Sequence, residues 1–136
     1  MEEDQKYQYF KCILTIYNII AKDKSVFNQI TLNNIGSVKR KLNFIAYANE
    51  YDMLLEKTCY LFKYFEKEIN DDNVQYLFNY DYTKLIEDDA YDENKQLIMN
   101  LITGVKEAWL KLNAKNQEMI KRNIKMCLTL SNLYLL

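Results

Sequence analysis

The stretch of sequence that decides the fold is Leu97–Leu112, LIMNLITGVKEAWLKL. Its apolar residues recur at spacings of three and four, which is the repeat of an α-helix. The apolar arc is wide, because the first nine residues include only two polar side chains, Asn100 and Thr103. A helix that is apolar around most of its circumference is buried on most sides. The stretch therefore predicts a hydrophobic central helix with the rest of the chain packed around it.

The glycine inside this stretch predicts where another helix approaches. Gly104 lies near the middle of the predicted helix, where a glycine costs about 1 kcal/mol relative to alanine. A close contact between helices would offset that cost, so we expect a neighbouring helix to pack against Gly104. The start of the helix is predicted by Asp92, a good N-cap residue, and by Glu93, whose negative charge favours the first turn.

The remainder of the chain carries the same helical period, and its 136 residues include no proline. Together with a length typical of one domain, this predicts an all-α fold. We expect a single helical domain over residues 1–136, a bundle of about six to seven helices around the central one. The predicted helices cover about 2–22, 34–48, 52–69, 74–86 (one helix or two short ones), 92–112, and 113 or 116 to 136.

The segments between these helices are polar. Residues 23–34 are expected to form a connection with a short apolar patch, and the acidic run at 87–91 predicts a loop or a frayed helix end. Only a very short link separates the last two helices. A link of that length predicts that they pack against each other as an antiparallel hairpin.

Composition excludes several kinds of active site. The chain has no histidine, which removes Ser-His-Asp and Cys-His catalysis and most zinc sites. Its 18 basic and 19 acidic residues give a net charge of −1, whereas general nucleic-acid binding needs a basic excess. The acidic cluster at 87–93 lacks the spacing of a calcium loop, and Glu66 and Glu68 fit an exposed charged face. We therefore expect a protein that is not an enzyme, with no catalytic residue, cofactor or metal ion.

The cysteines and the chain ends bear on the compartment. Cys12, Cys59 and Cys127 lack the spacing of a metal knuckle, and each falls in an apolar stripe. This pattern predicts buried thiols in a reducing compartment, and hence a cytoplasmic location. The acidic N-terminus is unlike a secretory leader, and the apolar run at 127–136 is shorter than the roughly 20 residues of a membrane span. We expect no membrane span in this chain, although a removed tail anchor stays an open alternative.

Two sets of surface residues leave alternatives open. The chain has more tyrosines than a core could bury with every hydroxyl paired, so they fit either the edge of the core or a protein-binding surface. The basic residues form two short runs, which are either solvated or in contact with an acidic partner. The tyrosines in question are Tyr47, Tyr51, Tyr60, Tyr64, Tyr76, Tyr80 and Tyr82, and the basic residues are Lys39, Arg40, Lys41, Lys121, Arg122 and Lys125.

Two segments carry a resemblance to a known family. Asn43–Leu54 (NFIAYANEYDML) and Lys95–Trp109 (KQLIMNLITGVKEAW) resemble the corresponding parts of poxviral Bcl-2-like proteins, the second being similar to their central helix with its terminal Trp. The likeness covers about residues 43–136. It implies a Bcl-2-like helical bundle in the cytoplasm of a host cell. It also implies a viral protein that blocks apoptosis or innate immune (NF-kappaB-type) signalling by binding host proteins, often as a homodimer.

One departure from that family concerns the expected groove. Cellular members open the central helix with Asn-Trp-Gly-Arg, whose Arg pairs with the Asp of a bound death-motif helix. Here residues 92–96 are DENKQ, so Lys95 would have to serve as a point charge without the bidentate geometry of Arg. The other groove candidates each also fit ordinary core packing. The full candidate set for a groove that takes a pro-apoptotic helix or a signalling adaptor is Leu42, Ile45, Leu55, Phe62, Leu77, Phe78, Lys95 and Ile98.

Two other classes remain as alternatives. The first is a helical subunit of a nucleoprotein complex, similar to the small subunit of a type III CRISPR complex, with the two basic runs along an RNA backbone. The second is a phage or bacterial inhibitor protein that binds a different protein partner. Steep salt dependence of RNA binding would favour the first, because each phosphate contact adds about 0.7 to the logarithmic salt slope.

Overall fold

The computed structural model describes residues 1–23, 29–81 and 93–136, without the side chains of residues 29–32, 34, 93–98, 100 and 101. Within these ranges the chain is all-helical and forms no strand, which confirms the predicted all-α bundle. The described helices are α1 (Glu3–Lys22), α2 (Gln29–Tyr47), α3 (Tyr51–Tyr64), α4 (Glu66–Asn70), α5 (Val74–Asn79), α6 (Glu93–Trp109) and α7 (Ala114–Tyr134).

The helix α1 begins and ends within one residue of its predicted bounds. Glu2 and Gln5 form a reciprocal capping box at its start, in which each side chain accepts a hydrogen bond from the other residue's backbone N–H. Tyr9, Ile13 and Ile20 are among the residues of its buried face. That face packs against α7, α2 and α3, so α1 contributes a full side of the core.

The helix α2 begins five residues earlier than predicted, at Gln29 rather than Asn34. Polar residues such as Gln29, Thr31 and Asn33 are frequent in its first turns, and such a stretch resembles a connection when only composition is considered. Gly36 lies inside the helix. Of the predicted apolar patch at Val26, Phe27 and Ile30, only the backbone of Ile30 is described, within α2, and the predicted loop at 87–91 lies outside the described residues.

A single helix was predicted over 52–69, but the chain is interrupted at Phe65, which separates α3 from α4. The interruption is slight, because the Phe65 N–H still donates to the Leu61 carbonyl at 3.2 Å. The helix α3 starts at Tyr51, one residue before its predicted start, so Asp52 lies in its first turn. From there Asp52 makes a 2.8 Å ion pair with Lys6 of α1.

The helix α6 contacts α1, α2, α3 and α5, as expected of a helix with a wide apolar arc. Val105, Ala108 and Trp109 are buried on it. The predicted close approach at Gly104 is confirmed. A Cβ atom added there would lie 3.1 Å from Ile35 Cδ1 of α2, which is tighter than an ordinary contact. Glycine at this position therefore lets α2 and α6 pack closely.

The predicted hairpin of the last two helices is wrong for the described residues. The buried face of α7 packs against α1, α3 and α4, and α7 has little contact with α6. The short link at 110–113 brings only the helix ends together. Each helix then turns its apolar face to different neighbours, and link length does not determine which ones. Among the described helices, none is both long and apolar enough to cross a membrane.

A buried carboxylate joins the end of α1 to the start of α7. Asp23 Oδ2 accepts hydrogen bonds from the Asn113 backbone N–H at 3.1 Å and from Asn116 Nδ2 at 2.9 Å. Asn113 is itself the N-cap of α7, with its side chain accepting the Asn116 N–H at 2.8 Å. Negative charge is favourable at a helix N-terminus, so Asp23 stabilises both the α7 start and the antiparallel pairing of α1 with α7.

Replacing Asp23 with alanine is expected to lower the free energy of unfolding by about 1–2 kcal/mol, because two donors lose their acceptor. Urea unfolding followed by circular dichroism measures the change. Asp23→Asn keeps one side-chain oxygen as an acceptor and should lower the free energy of unfolding by less than Asp23→Ala does. The matched control is Asp71→Ala, because Asp71 is an exposed aspartate. Equal stability of Asp23→Ala and Asp71→Ala would contradict a linking role for Asp23.

Candidate apolar binding site

The eight predicted groove residues fall into three groups. Leu42 and Ile45 of α2 and Leu55 of α3 have side chains at most 2% exposed. They lie inside the core and present no surface to a partner in this structure. The side chains of Lys95 and Ile98, both within α6, are outside the described ones. The remaining three, Phe62, Leu77 and Phe78, line one shared cavity.

This cavity has a volume of about 100 Å³ and lies among α1, α3, α5, α6 and α7. Its walls are apolar except for the hydroxyls of Tyr17 and Thr58. The Thr58 hydroxyl donates to the Leu54 carbonyl at 2.6 Å and is therefore not directed at a ligand. The full lining is Ile13, Ile16, Tyr17, Thr58, Leu61, Phe62, Phe65, Leu77, Phe78, Ile102, Val105 and Ile124.

The size of the cavity limits what it can hold. Sites for drug-sized ligands occupy about 300–1,000 Å³, well above the value here. A cavity of about 150 Å³ lined by aliphatic and aromatic groups holds one benzene. The present cavity therefore suits one aliphatic side chain. The described side chains of its walls include no pair of groups that could act as nucleophile and base.

The partly exposed part of the cavity wall is formed by Leu61, Phe62 and Ile102. Phe62 is held by Tyr9 of α1, whose ring meets it edge-on with centroids 6.0 Å apart. Edge-to-face pairs of this kind are favourable beyond the area that they bury. A partner reaching the cavity from this side would therefore meet an apolar surface with a defined orientation.

Beside the cavity lies a group of four aromatic rings, here called the Tyr64 cluster: Tyr64, Phe65, Tyr76 and Tyr80. Phe65 is buried at its centre, with ring centroids 4.9 Å from Tyr64, 6.1 Å from Tyr76 and 5.1 Å from Tyr80. The Tyr64 and Tyr80 hydroxyls lie 3.3 Å apart. Tyr64 and Tyr76 are exposed. These tyrosines therefore combine a packed ring with a hydroxyl near water, as at the edge of a core or in a binding surface.

The acidic run at 87–92 and Tyr82 lie outside the described residues, whereas Glu66 and the basic run of Lys121, Arg122 and Lys125 are described. Lys63 lies 2.8 Å from Glu66 and holds the pKa of that carboxyl below its ordinary value, the opposite of what a general acid needs. Among the described residues no group of three or more acidic or cysteine side chains could hold a metal ion. Lys121 and Lys125 form ion pairs with Glu118 and Asp72 at 3.3 and 2.6 Å. Both lysines of that basic run are therefore partly neutralised.

The contribution of α1 to the cavity was not predicted. Ile13, Ile16 and Tyr17 form part of its wall, although all eight predicted groove residues lie on α2, α3, α5 and α6. The helical period of α1 predicts an apolar face but does not indicate which helices that face meets. Neither local spacing nor composition contains that information.

Comparison of this chain with protein-family models, with curated proteins and with solved structures found no match. The residues of the site are therefore what indicates its function.

Proposed function

We propose that this chain is a protein-binding module without catalytic activity, and that it takes an apolar helix of a partner at the wall formed by Leu61, Phe62 and Ile102. The observation that carries the proposal is the small apolar cavity behind that wall. One aliphatic side chain of the partner would fill it. In this mode of recognition an amphipathic helix lays its apolar face in a groove and anchors it through residues one turn apart.

The Tyr64 cluster supports the same proposal. It adjoins the cavity through Phe65, which belongs to both. Binding energy at protein interfaces concentrates in a few aromatic anchors surrounded by near-neutral contacts. Tyr64 and Tyr76 would supply such anchors with little loss of conformational freedom, because Phe65 already orients their rings.

The resemblance to poxviral Bcl-2-like proteins supplies the class of partner in this proposal. The partner would be a host protein, and the effect a block of apoptosis or of innate immune signalling. The two are distinguished by the helix that binds: that of a pro-apoptotic protein or that of a signalling adaptor. The absence of an Arg at the start of α6 favours the adaptor, since Lys95 lacks the bidentate geometry of Arg.

The test is calorimetric titration of the folded chain with peptides from both classes of helix. We expect one class to bind with a micromolar or tighter Kd, about −8 kcal/mol. Phe62→Ala and Leu61→Ala should each weaken that binding by at least about tenfold. Phe44→Ala is the matched control, because Phe44 is a 62% exposed phenylalanine of α2 outside the cavity.

Circular dichroism on each variant separates loss of binding from loss of fold. The proposal fails if no peptide of either class binds the folded chain. It also fails if the folded Phe62→Ala and Leu61→Ala variants bind as tightly as the wild type.

A further inference from the structure

Two cysteines occupy equivalent positions on opposite sides of the interface between α1 and α7. The contact of Asp23 with Asn116 fixes the register of these antiparallel helices. Cys12 lies eleven residues before Asp23, and Cys127 lies eleven residues after Asn116. Eleven residues are about three helical turns and about 16 Å of rise. Cys12 therefore lies on the same face of α1 as Asp23, and Cys127 on the same face of α7 as Asn116. Both cysteines are equally far along the helix pair from the contact of Asp23 with Asn116, so they lie opposite each other.

Other contacts agree with this register. Ile19 and Lys22 of α1 line a surface depression together with Asn116 and Met119 of α7, as the register requires. Both cysteines are buried, Cys12 with 8% of its surface exposed and Cys127 with none. Both are free thiols in the structure.

The two thiols also affect each other chemically. A hydrogen bond from Cys127 lowers the pKa of the Cys12 thiol. Burial, together with Cys12, raises the pKa of Cys127 well above its usual value. Because the thiolate is the nucleophile, Cys12 is the more reactive of the two. Cys12 is also the one that keeps an exposed fraction, so a small oxidant reaches it first.

We propose that Cys12 and Cys127 form a site of reversible oxidation, at which hydrogen peroxide produces a disulfide that joins α1 to α7. The Cys12 thiolate attacks one peroxide oxygen and the O–O bond breaks, which leaves a sulfenic acid and, after protonation, one water. The Cys127 sulfur then attacks the Cys12 sulfur, and the S–O bond breaks to release a second water. One peroxide is reduced and two thiols are oxidised. A cytoplasmic thiol such as glutathione reverses the reaction by exchange.

The disulfide would act on the cavity as well as on stability. Ile13 follows Cys12 directly, and Ile124 lies one turn before Cys127, and both line the cavity. A disulfide between Cys12 and Cys127 would fix the distance between the cavity wall on α1 and the cavity wall on α7. It would also close a loop of about 115 residues, which strongly restricts the unfolded chain.

The experiment treats the purified, folded chain with hydrogen peroxide and measures the intact mass and the melting temperature without reductant. We expect the loss of two hydrogen atoms, a peptide map that joins Cys12 to Cys127, and a Tm higher by about 10 °C. A reducing thiol should reverse all three. Cys59→Ser is the matched control and should behave as wild type, because Cys59 lies on α3, outside the α1–α7 pair, and neither Cys12 nor Cys127 is among the groups that shift its pKa.

The variants Cys12→Ser and Cys127→Ser should lose the link and the rise in Tm. After peroxide treatment of the folded chain, the protein is unfolded and its free thiols are alkylated. The proposal is overturned if Cys12 and Cys127 are both alkylated. It is equally overturned if the disulfide joins two chains, involves Cys59, or forms only under denaturing conditions.

Discussion

Replacement of Trp109 by alanine is expected to lower the free energy of unfolding by about 3–5 kcal/mol, the range for deleting a large aromatic side chain from a core. Trp109 is only 5% exposed at the end of α6. Its ring packs against Phe78 of α5 with centroids 5.0 Å apart. The substitution would remove that contact and leave a void beside the apolar cavity, which the surrounding helices could fill only in part.

The next residue supplies the control for this prediction. Leu110 is 77% exposed, so Leu110→Ala should change stability by no more than about 0.5 kcal/mol. Urea unfolding followed by far-UV circular dichroism compares both variants with the wild type. A loss below about 1 kcal/mol for Trp109→Ala would mean that the end of α6 is not packed as the structure has it.

Replacement of Thr58 by valine is expected to lower the free energy of unfolding by about 1–3 kcal/mol, although valine has nearly the same side-chain shape as threonine. Thr58 donates to the Leu54 carbonyl, so the Tyr9 hydroxyl, 2.6 Å away, donates to Thr58. Burial raises the pKa of Tyr9 well above its usual value and keeps the hydroxyl protonated. Valine would leave the Tyr9 hydroxyl, which is buried, without its Thr58 acceptor.

The double variant separates this effect from simple packing. Tyr9→Phe removes the donor itself and should lower the free energy of unfolding by less than Thr58→Val does, by about 1 kcal/mol. In Tyr9→Phe with Thr58→Val the Tyr9 hydroxyl is absent, so the loss of Thr58 leaves no tyrosine donor unpaired, and the double variant should be more stable than the sum of the single losses predicts. Additive losses in the urea midpoints would contradict a Tyr9–Thr58 hydrogen bond.

The helices themselves were largely predictable, because each one carries its own apolar stripe and its own end signals. The start of the last helix was predicted at Asn113 or Asn116, and the structure has Asn113 as its N-cap. Gly104 correctly marked a close approach of two helices. The errors at Gln29 and Phe65 are local ones. A stretch with many polar residues can still be helical, as residues 29–34 are, and a buried aromatic residue can end one helix and begin the next within a single residue.

The pairing of helices was not predictable in the same way. The predicted hairpin of α6 and α7 was wrong because a short link brings two helix ends together but does not determine which helices their apolar faces pack against. The candidate groove had the same difficulty. Leu42, Ile45 and Leu55 carry the same kind of periodic apolar signal as Phe62, yet they lie in the core. Only contacts between distant parts of the chain separate the two groups.

The pairing of Trp109 with Phe78 has a practical consequence. The chain contains one tryptophan, and its indole touches a residue that lines the apolar cavity. Fluorescence excited at a wavelength that only tryptophan absorbs therefore has a single emitter beside the candidate site, and its emission wavelength depends on the polarity of that surrounding. The protein thus carries its own optical probe for occupancy of the cavity, which needs no label and no substitution.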